Sequence, residues 1–187
     1  LFEPLGIENV KWEADDRGVN FGAWGLHLTP EDAAKFAQFC LNKGRWNGKQ
    51  LLSEGWINLA TAPQCNVVAG DDRSDWNQGY GFQFWRCRHN AFRGDGAFGQ
   101  YAIAMPDQEM ALAVTSGLRN MQSILDRVWE ILLPAAEEKP AAPAPADAAA
   151  LAEAVTHWEM PVLGSAGRVL PLRRYALSEN ALQFETI

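Results

Sequence analysis

The sequence predicts an α+β domain in which an antiparallel sheet is packed by amphipathic helices. Three observations predict it. Apolar residues recur at helical spacing over 30–42 and again over 119–133. Period-two alternation runs through Tyr80, Phe82 and Phe84 and then through 97–105 and 109–116. Turn-forming residues, Asn47-Gly48 and Pro106-Asp107-Gln108, punctuate these runs.

The chain has 187 residues, 48% of them hydrophobic, enough to bury a sizeable core and to exclude disorder throughout. Its 23 acidic and 16 basic side chains give a net charge of −7, the wrong sign for gripping phosphate backbones or anionic lipid, so nucleic acid is excluded as a partner. No run of 18 apolar residues and no basic-then-apolar leader occurs in the sequence. Cys40, Cys65 and Cys87 are an odd, widely spaced set without CxxC, which argues against a disulfide framework or a zinc site. A start at Leu1 and a strand-like alternation over Leu182–Ile187 that simply stops read as cut ends.

Taking the elements in order, Thr29 caps a helix whose first residue is Pro30, and Asp32 completes a capping box. Ala33, Phe36, Ala37, Cys40 and Leu41 form its buried stripe, and Cys40 is then a core residue. Asn47-Gly48 between short arms predicts a tight hairpin. Ser53 caps a second helix to about Ala60. The alternating segments from Tyr80 to Ser116 predict a three-stranded meander. A last helix over Arg119–Leu133 turns Met121, Ile124, Leu125, Val128, Trp129 and Leu132 onto that sheet. Beyond it, 13 of the 17 residues from Pro134 to Ala150 are alanine or proline, which predicts a semi-extended linker over 134–150. The domains are then 1–133, the linker, and a small β-rich appendage over 151–187.

The order of segments is distinctive: GAWGLHLTPEDAAKF, KGRWNGKQLLSEGWI, GYGFQFW and GDGAFGQYAIAMPDQEMALAVTSG, followed by an amphipathic helix. It resembles the C-terminal half of serine hydrolases of the β-lactamase and penicillin-binding-protein superfamily, closest to the class C β-lactamase-like branch, over about 130 of the 187 residues. The resemblance implies a β-lactamase/transpeptidase-like fold with its N-terminal half missing. It also implies an acyl-enzyme mechanism with three motifs: Ser-x-x-Lys, Tyr-x-Asn or Ser-x-Asn, and a Lys-Thr-Gly or His-x-Gly strand. It implies no metal or organic cofactor, a small acyl substrate (lactam, ester or amide), and a bacterial parent in the periplasm or envelope, with a cytoplasmic alternative.

Two of the motifs are absent where they should be. Three residues after the six serines, Ser53, Ser74, Ser116, Ser123, Ser165 and Ser178, stand Trp56, Asn77, Arg119, Asp126, Arg168 and Ala181, none of them lysine. No tyrosine begins a Tyr-x-Asn, and Ser178-Glu179-Asn180 follows the strand it should precede. The third motif aligns on Gly94-Asp95-Gly96, with glycine at the cationic position and aspartate at the hydroxyl position. By that carry-over Ala97 offers a backbone N–H to the oxyanion hole and Asp95 a polar contact in the acyl cleft. Arg93, Gly94, Gly96, Phe98 and Gly99 line the substrate, with Arg93 or Arg88 replacing the lost charge. Asp95 also reads as a turn residue, and the glycines also read as a bulge.

The nucleophile, its base and the covering half of the sheet are then expected from the N-terminal half of the same parent polypeptide. The alternative class is a non-catalytic binding or interaction protein with an aromatic-rich surface, for which Trp24, Trp76 and Trp85 are the candidates. His27, His89 and His157 read as packed or surface residues. Asp71-Asp72-Arg73-Ser74-Asp75 lacks calcium-loop spacing and reads as a solvated loop.

Overall fold

The computed structural model describes residues 1–67, 73–137 and 145–156. The chain divides into two units, Leu1–Lys139 and Pro140–Ile187.

In the first unit, β1 (Lys11–Trp12) pairs antiparallel with β2 (Leu26–His27) ahead of α1 (Pro30–Leu41). The α1 cap is as the sequence predicts: Thr29 Oγ1 accepts from the Asp32 N–H at 3.2 Å and donates to Asp32 Oδ2 at 2.9 Å. Its buried residues are Asp32, Ala37, Phe39 and Cys40, so Phe39, outside the predicted stripe, is its main core contribution. β3 (Arg45–Trp46) and β4 (Lys49–Gln50) follow as a two-residue hairpin. Asn47 at φ 45° and Gly48 at φ 78° give both turn positions the positive angles that a type I′ turn requires. Ser53 Oγ then caps α2 (Glu54–Thr61) through the Trp56 N–H at 3.1 Å.

The sheet has four strands, not three: β5 (Trp85–Arg86), β6 (Phe92–Gly96), β7 (Gln100–Met105) and β8 (Met110–Val114), antiparallel in the order β5-β6-β7-β8. Tyr80–Phe84 is not the first strand. Tyr80 makes only isolated bridges to Cys65 and Trp85, and Gly81 lies so close to α2 that a Cβ there would sit 2.2 Å from the Ala60 carbonyl. The sequence hid β6 because two of its five residues are glycine, which weakens any local strand signal.

Each face of this sheet closes a separate core. Pairing alternates the faces, so Arg93, Asp95, Tyr101, Ile103 and Met105 look one way and Phe92, Gly94, Gly96, Ala102 and Ala104 the other. The first face packs with Leu125, Val128, Trp129 and Leu133 of the C-terminal helix. On the second, Phe92 and Ala104 join Leu5, Ile7, Phe39, Cys40 and Ile57 beneath α1 and α2.

The C-terminal helix comprises α3 (Gln122–Arg127), a π-helical stretch Val128–Leu132 and α4 (Leu133–Glu137). It starts three residues later than predicted. The π turn adds a residue to the repeat and rotates the buried face, so Leu133 is 7% exposed while the predicted Leu132 is 39% exposed. The wider turn immediately precedes Pro134, which has no N–H to give the helix.

The predicted semi-extended linker is corrected at both ends. α4 enters it through Pro134–Glu137, and in the second unit α5 (Pro145–Thr156) is helical. Alanine is the strongest helix former, and Pro145 stands at the start of α5, where a missing N–H costs nothing. The strand expected over Leu182–Ile187 and most of the predicted appendage lie outside the described residues.

Candidate functional site

The β6–β7 hairpin tip is the candidate. The ladder runs without a bulge from Phe92↔Ala104 to Gly96↔Gln100, and Ala97, Phe98 and Gly99 close the loop. The Gly99 N–H donates to the Gly96 carbonyl at 3.3 Å, with Phe98 at φ 64°, the positive angle of the third position in a type II turn. Gly99 stands at φ 87° and is buried so tightly that a Cβ would meet Ile124 Cδ1 at 2.3 Å. The Leu118 N–H donates to the Phe98 carbonyl at 3.1 Å, and the Gln100 amide reaches the Ala97 and Ser116 carbonyls, tying the tip to 115–118. Phe98 itself is 54% exposed. A bulky residue held at positive φ costs folding energy, and Phe98 gains little burial in return.

Ala97 lies one residue past the last ladder pair, and among the described residues its N–H has no protein acceptor. On the same strand a Cβ at Gly94 would find only Ala102 Cβ, at 3.9 Å, whereas one at Gly96 would press on Gln100 at 2.9 Å. The Gly94 position is therefore open above the sheet.

Behind the strand is a buried polar cluster. Arg93 is fully buried, with Nε and Nη2 at 3.0 and 2.9 Å from Asp95 Oδ2 and Nη1 donating to the Asp75 carbonyl at 3.0 Å. Trp76, Trp85 and Tyr101 surround its guanidinium, the Trp76 ring centre at 4.5 Å. Asp75, also fully buried, accepts from the Arg88 N–H and side chain, Gln122 Nε2 and Trp129 Nε1. Burial alone would raise the Asp75 carboxyl. The bonds from Arg88, Trp129 and Gln122 outweigh it and hold the group below its ordinary value. For Asp95 burial prevails over Arg93 and pushes the carboxyl up.

No family model and no curated protein matches this chain. Solved structures do. A protein named as a 6-aminohexanoate-dimer hydrolase from Bacillus anthracis superposes with TM-score 0.53 and 22% identity, over 71% of this chain and 34% of that one. A protein named as a β-lactamase from Bacteroides dorei superposes with TM-score 0.52 and 16% identity, over 71% of this chain and 49% of its own. Over the part they share, this chain has the fold of these two proteins, a β-lactamase-like fold. This chain spans between a third and a half of the length of these two relatives.

Within this β-lactamase-like fold the sequence-predicted site residues separate into two sets. Gly94, Gly96, Ala97, Phe98 and Gly99 come together on the open face and tip of β6–β7. Arg93 and Asp95 do not join them: strand alternation turns both to the opposite face, where the ion pair is consumed inside the core. Arg93 is therefore not on the Gly94 face, where the resemblance would need a cation. Arg88 is held by Asp75 at 3.0 Å and Asp126 at 2.6 Å.

The solvated-loop reading of Asp71–Asp75 is overturned at Asp75, while Asp71 and Asp72 lie outside the described residues. Trp76 and Trp85 cage Arg93 rather than forming a platform, whereas Trp24 is 59% exposed and stacked on Phe21 at 4.2 Å. His27 pairs with Glu13 at 3.0 Å, His89 leans on Trp129, and His157 is outside the described residues. Sequence reasoning missed Asp75, Gln122 and Trp129 as a unit. The one available signal was that a core tryptophan needs a partner for its N–H.

Proposed function

We propose that these residues form the second wall of a serine-hydrolase acyl site and supply one oxyanion donor, while the nucleophile comes from a Ser-x-x-Lys segment elsewhere in a longer polypeptide. The single observation that carries the reading is the Ala97 N–H, unbonded one residue past the ladder on a tip buttressed by Gly99 and Leu118. In that chemistry the serine oxygen attacks the acyl carbonyl as its proton passes to the lysine. The carbonyl oxygen becomes an oxyanion, and Ala97 donates to it. The leaving group departs with a proton, and water then releases the acid and restores the serine.

Rigid support matters because a donor works only if it is already aimed when charge develops. The glycine at 94 leaves the strand's face open there for a substrate backbone or acyl chain.

The proposed partner is the N-terminal half of the same polypeptide. β8 ends the sheet with the uncharged segment Met110–Val114, and no described strand pairs with its outer edge. Uncharged edges invite another strand. The proposed compartment is the periplasm or envelope, tested by fractionating cells that express the natural protein. No helix among the described residues is long and apolar enough to cross a membrane. A second reading, an aromatic binding surface without chemistry, rests on the exposed Trp24–Phe21 stack.

The test is to treat the natural polypeptide containing this chain with a fluorophosphonate or a penicillin and map the adduct by mass spectrometry. The reading expects the adduct on a serine outside these 187 residues. An adduct on one of the six serines here, or none with any probe on folded protein, overturns it.

A further inference from the structure

A pocket of about 340 Å³ opens between the end of α1, α2 and the start of β6, at the low end of the ligand-site range of roughly 300–1,000 Å³. It is distinct from the hairpin tip: Phe92 in its wall stands four residues before Gly96, about 13 Å along the strand. Leu41, Ile57, Phe92 and Pro106 make its walls apolar. Its only charged lining residues are Lys43 and Arg86, both cations, in a chain of net charge −7.

These two cations differ. Lys43 is neutralised by Glu54 at 2.7 Å. Arg86 meets only neutral acceptors: the Thr61 carbonyl at 3.5 Å, the Asn90 carbonyl at 3.2 Å and Asn90 Oδ1 at 2.8 Å. The nearest acid on that path, Asp107, is bonded to the Asn90 amide at 2.8 Å, and no carboxylate forms a salt bridge with Arg86 among the described residues. Partial burial lowers the affinity of this guanidinium for its proton. A partly desolvated cation whose Nε–H and one Nη1–H carry no bond among the described residues, facing a pocket without an acid, gains from an anion that accepts a charge-assisted bond from it.

We propose that this pocket binds a small amphipathic carboxylate, with the carboxylate on Arg86 and the apolar tail against Leu41, Ile57 and Phe92. The inference is independent of the acyl-enzyme reading, since none of these residues belongs to the hairpin tip.

Octanoate titrated into the chain by calorimetry is expected to bind saturably at one site. Octanamide, equal in length and uncharged, is expected to bind at least tenfold more weakly, and Arg86→Gln to lose at least tenfold in octanoate affinity. Should Arg86→Gln fail to fold, Ile57→Trp, which fills the pocket, and nuclear Overhauser contacts from octanoate to Ile57 and Leu41 of the unaltered chain read out the same site. Absent saturable binding, equal affinity for octanamide, undiminished binding by folded Arg86→Gln or Ile57→Trp, or contacts to other residues would each overturn the proposal.

Discussion

The indole N–H of Trp129 donates to Asp75 Oδ2 at 2.9 Å across 54 residues of sequence, joining the C-terminal helix to the loop before the sheet inside a closed core. The same carboxylate holds Arg88 and Gln122, and the Asp75 carbonyl holds Arg93 of β6. One buried acid thus links α3, the π turn, β6 and the loop leading to β5.

Removing that acid is expected to cost more than any surface change. Asp75→Ala leaves Arg88 and the Trp129 N–H facing a void, a loss of about 3–5 kcal/mol typical of a broken buried ion pair. Urea denaturation at neutral pH reads it as a lower midpoint at unchanged slope. A midpoint within experimental error of the parent chain refutes the hub.

The same group sets an acid limit. Its folded pKa lies below the unfolded value of about 3.9, so its stabilisation is complete above that value and is lost as pH falls through the folded one. Asp95, pushed up by burial, works in the opposite sense, and its contribution fades as pH rises from about 4 toward its folded value. Stability measured from pH 5 down to 2 is expected to fall less steeply in Asp75→Asn than in the parent.

Thiol reactivity checks both cores at once. Burial pushes Cys40 up to about 12 and Cys87 up to about 11, while Cys65 is exposed. A chromogenic disulfide reagent at pH 8 is therefore expected to titrate one thiol in the folded chain and all three in urea. Rapid reaction of a second thiol in the folded chain contradicts the burial of Cys40 or Cys87.

At Phe98 stability and function are expected to part. Phe98→Gly relieves a positive φ that costs a side-chain-bearing residue roughly 1–2 kcal/mol, offset by about 0.4–1 kcal/mol of unfolded-state entropy. The chain is then no less stable, yet KM for apolar acyl esters rises in the natural protein. Lower stability, or an unchanged KM, removes Phe98 from the substrate surface.

Local chemistry was legible in the sequence wherever one segment decided its own structure. Thr29 and Ser53 cap α1 and α2, and Asn47-Gly48 turns its hairpin, because cap and turn preferences act within four residues. The segment order also pointed to the fold that the solved relatives share. β6 was not legible from its own residue pattern, because Gly94 and Gly96 carry none; the resemblance alone put a strand there, and pairing with β7 defines it. Leu133 could not be picked over Leu132, since a π turn leaves no mark in a 3.6-residue repeat. Arg93 and Asp95 were assigned to the cleft because motif alignment gives a position along a strand, and the side of the sheet follows only from the register. Asp75 looked solvated because its partners lie 13 to 54 residues away.

The oxyanion donor is the central claim, and Ala97→Pro tests it most directly. Ala97 is the second residue of a turn with positive φ at the third, the position where proline fits best, and its N–H serves no ladder bond, so the substitution deletes the donor and little else. In the natural polypeptide, the account predicts a folded protein whose ester turnover drops by about 10²–10³-fold. Parental turnover from a folded Ala97→Pro protein would contradict it.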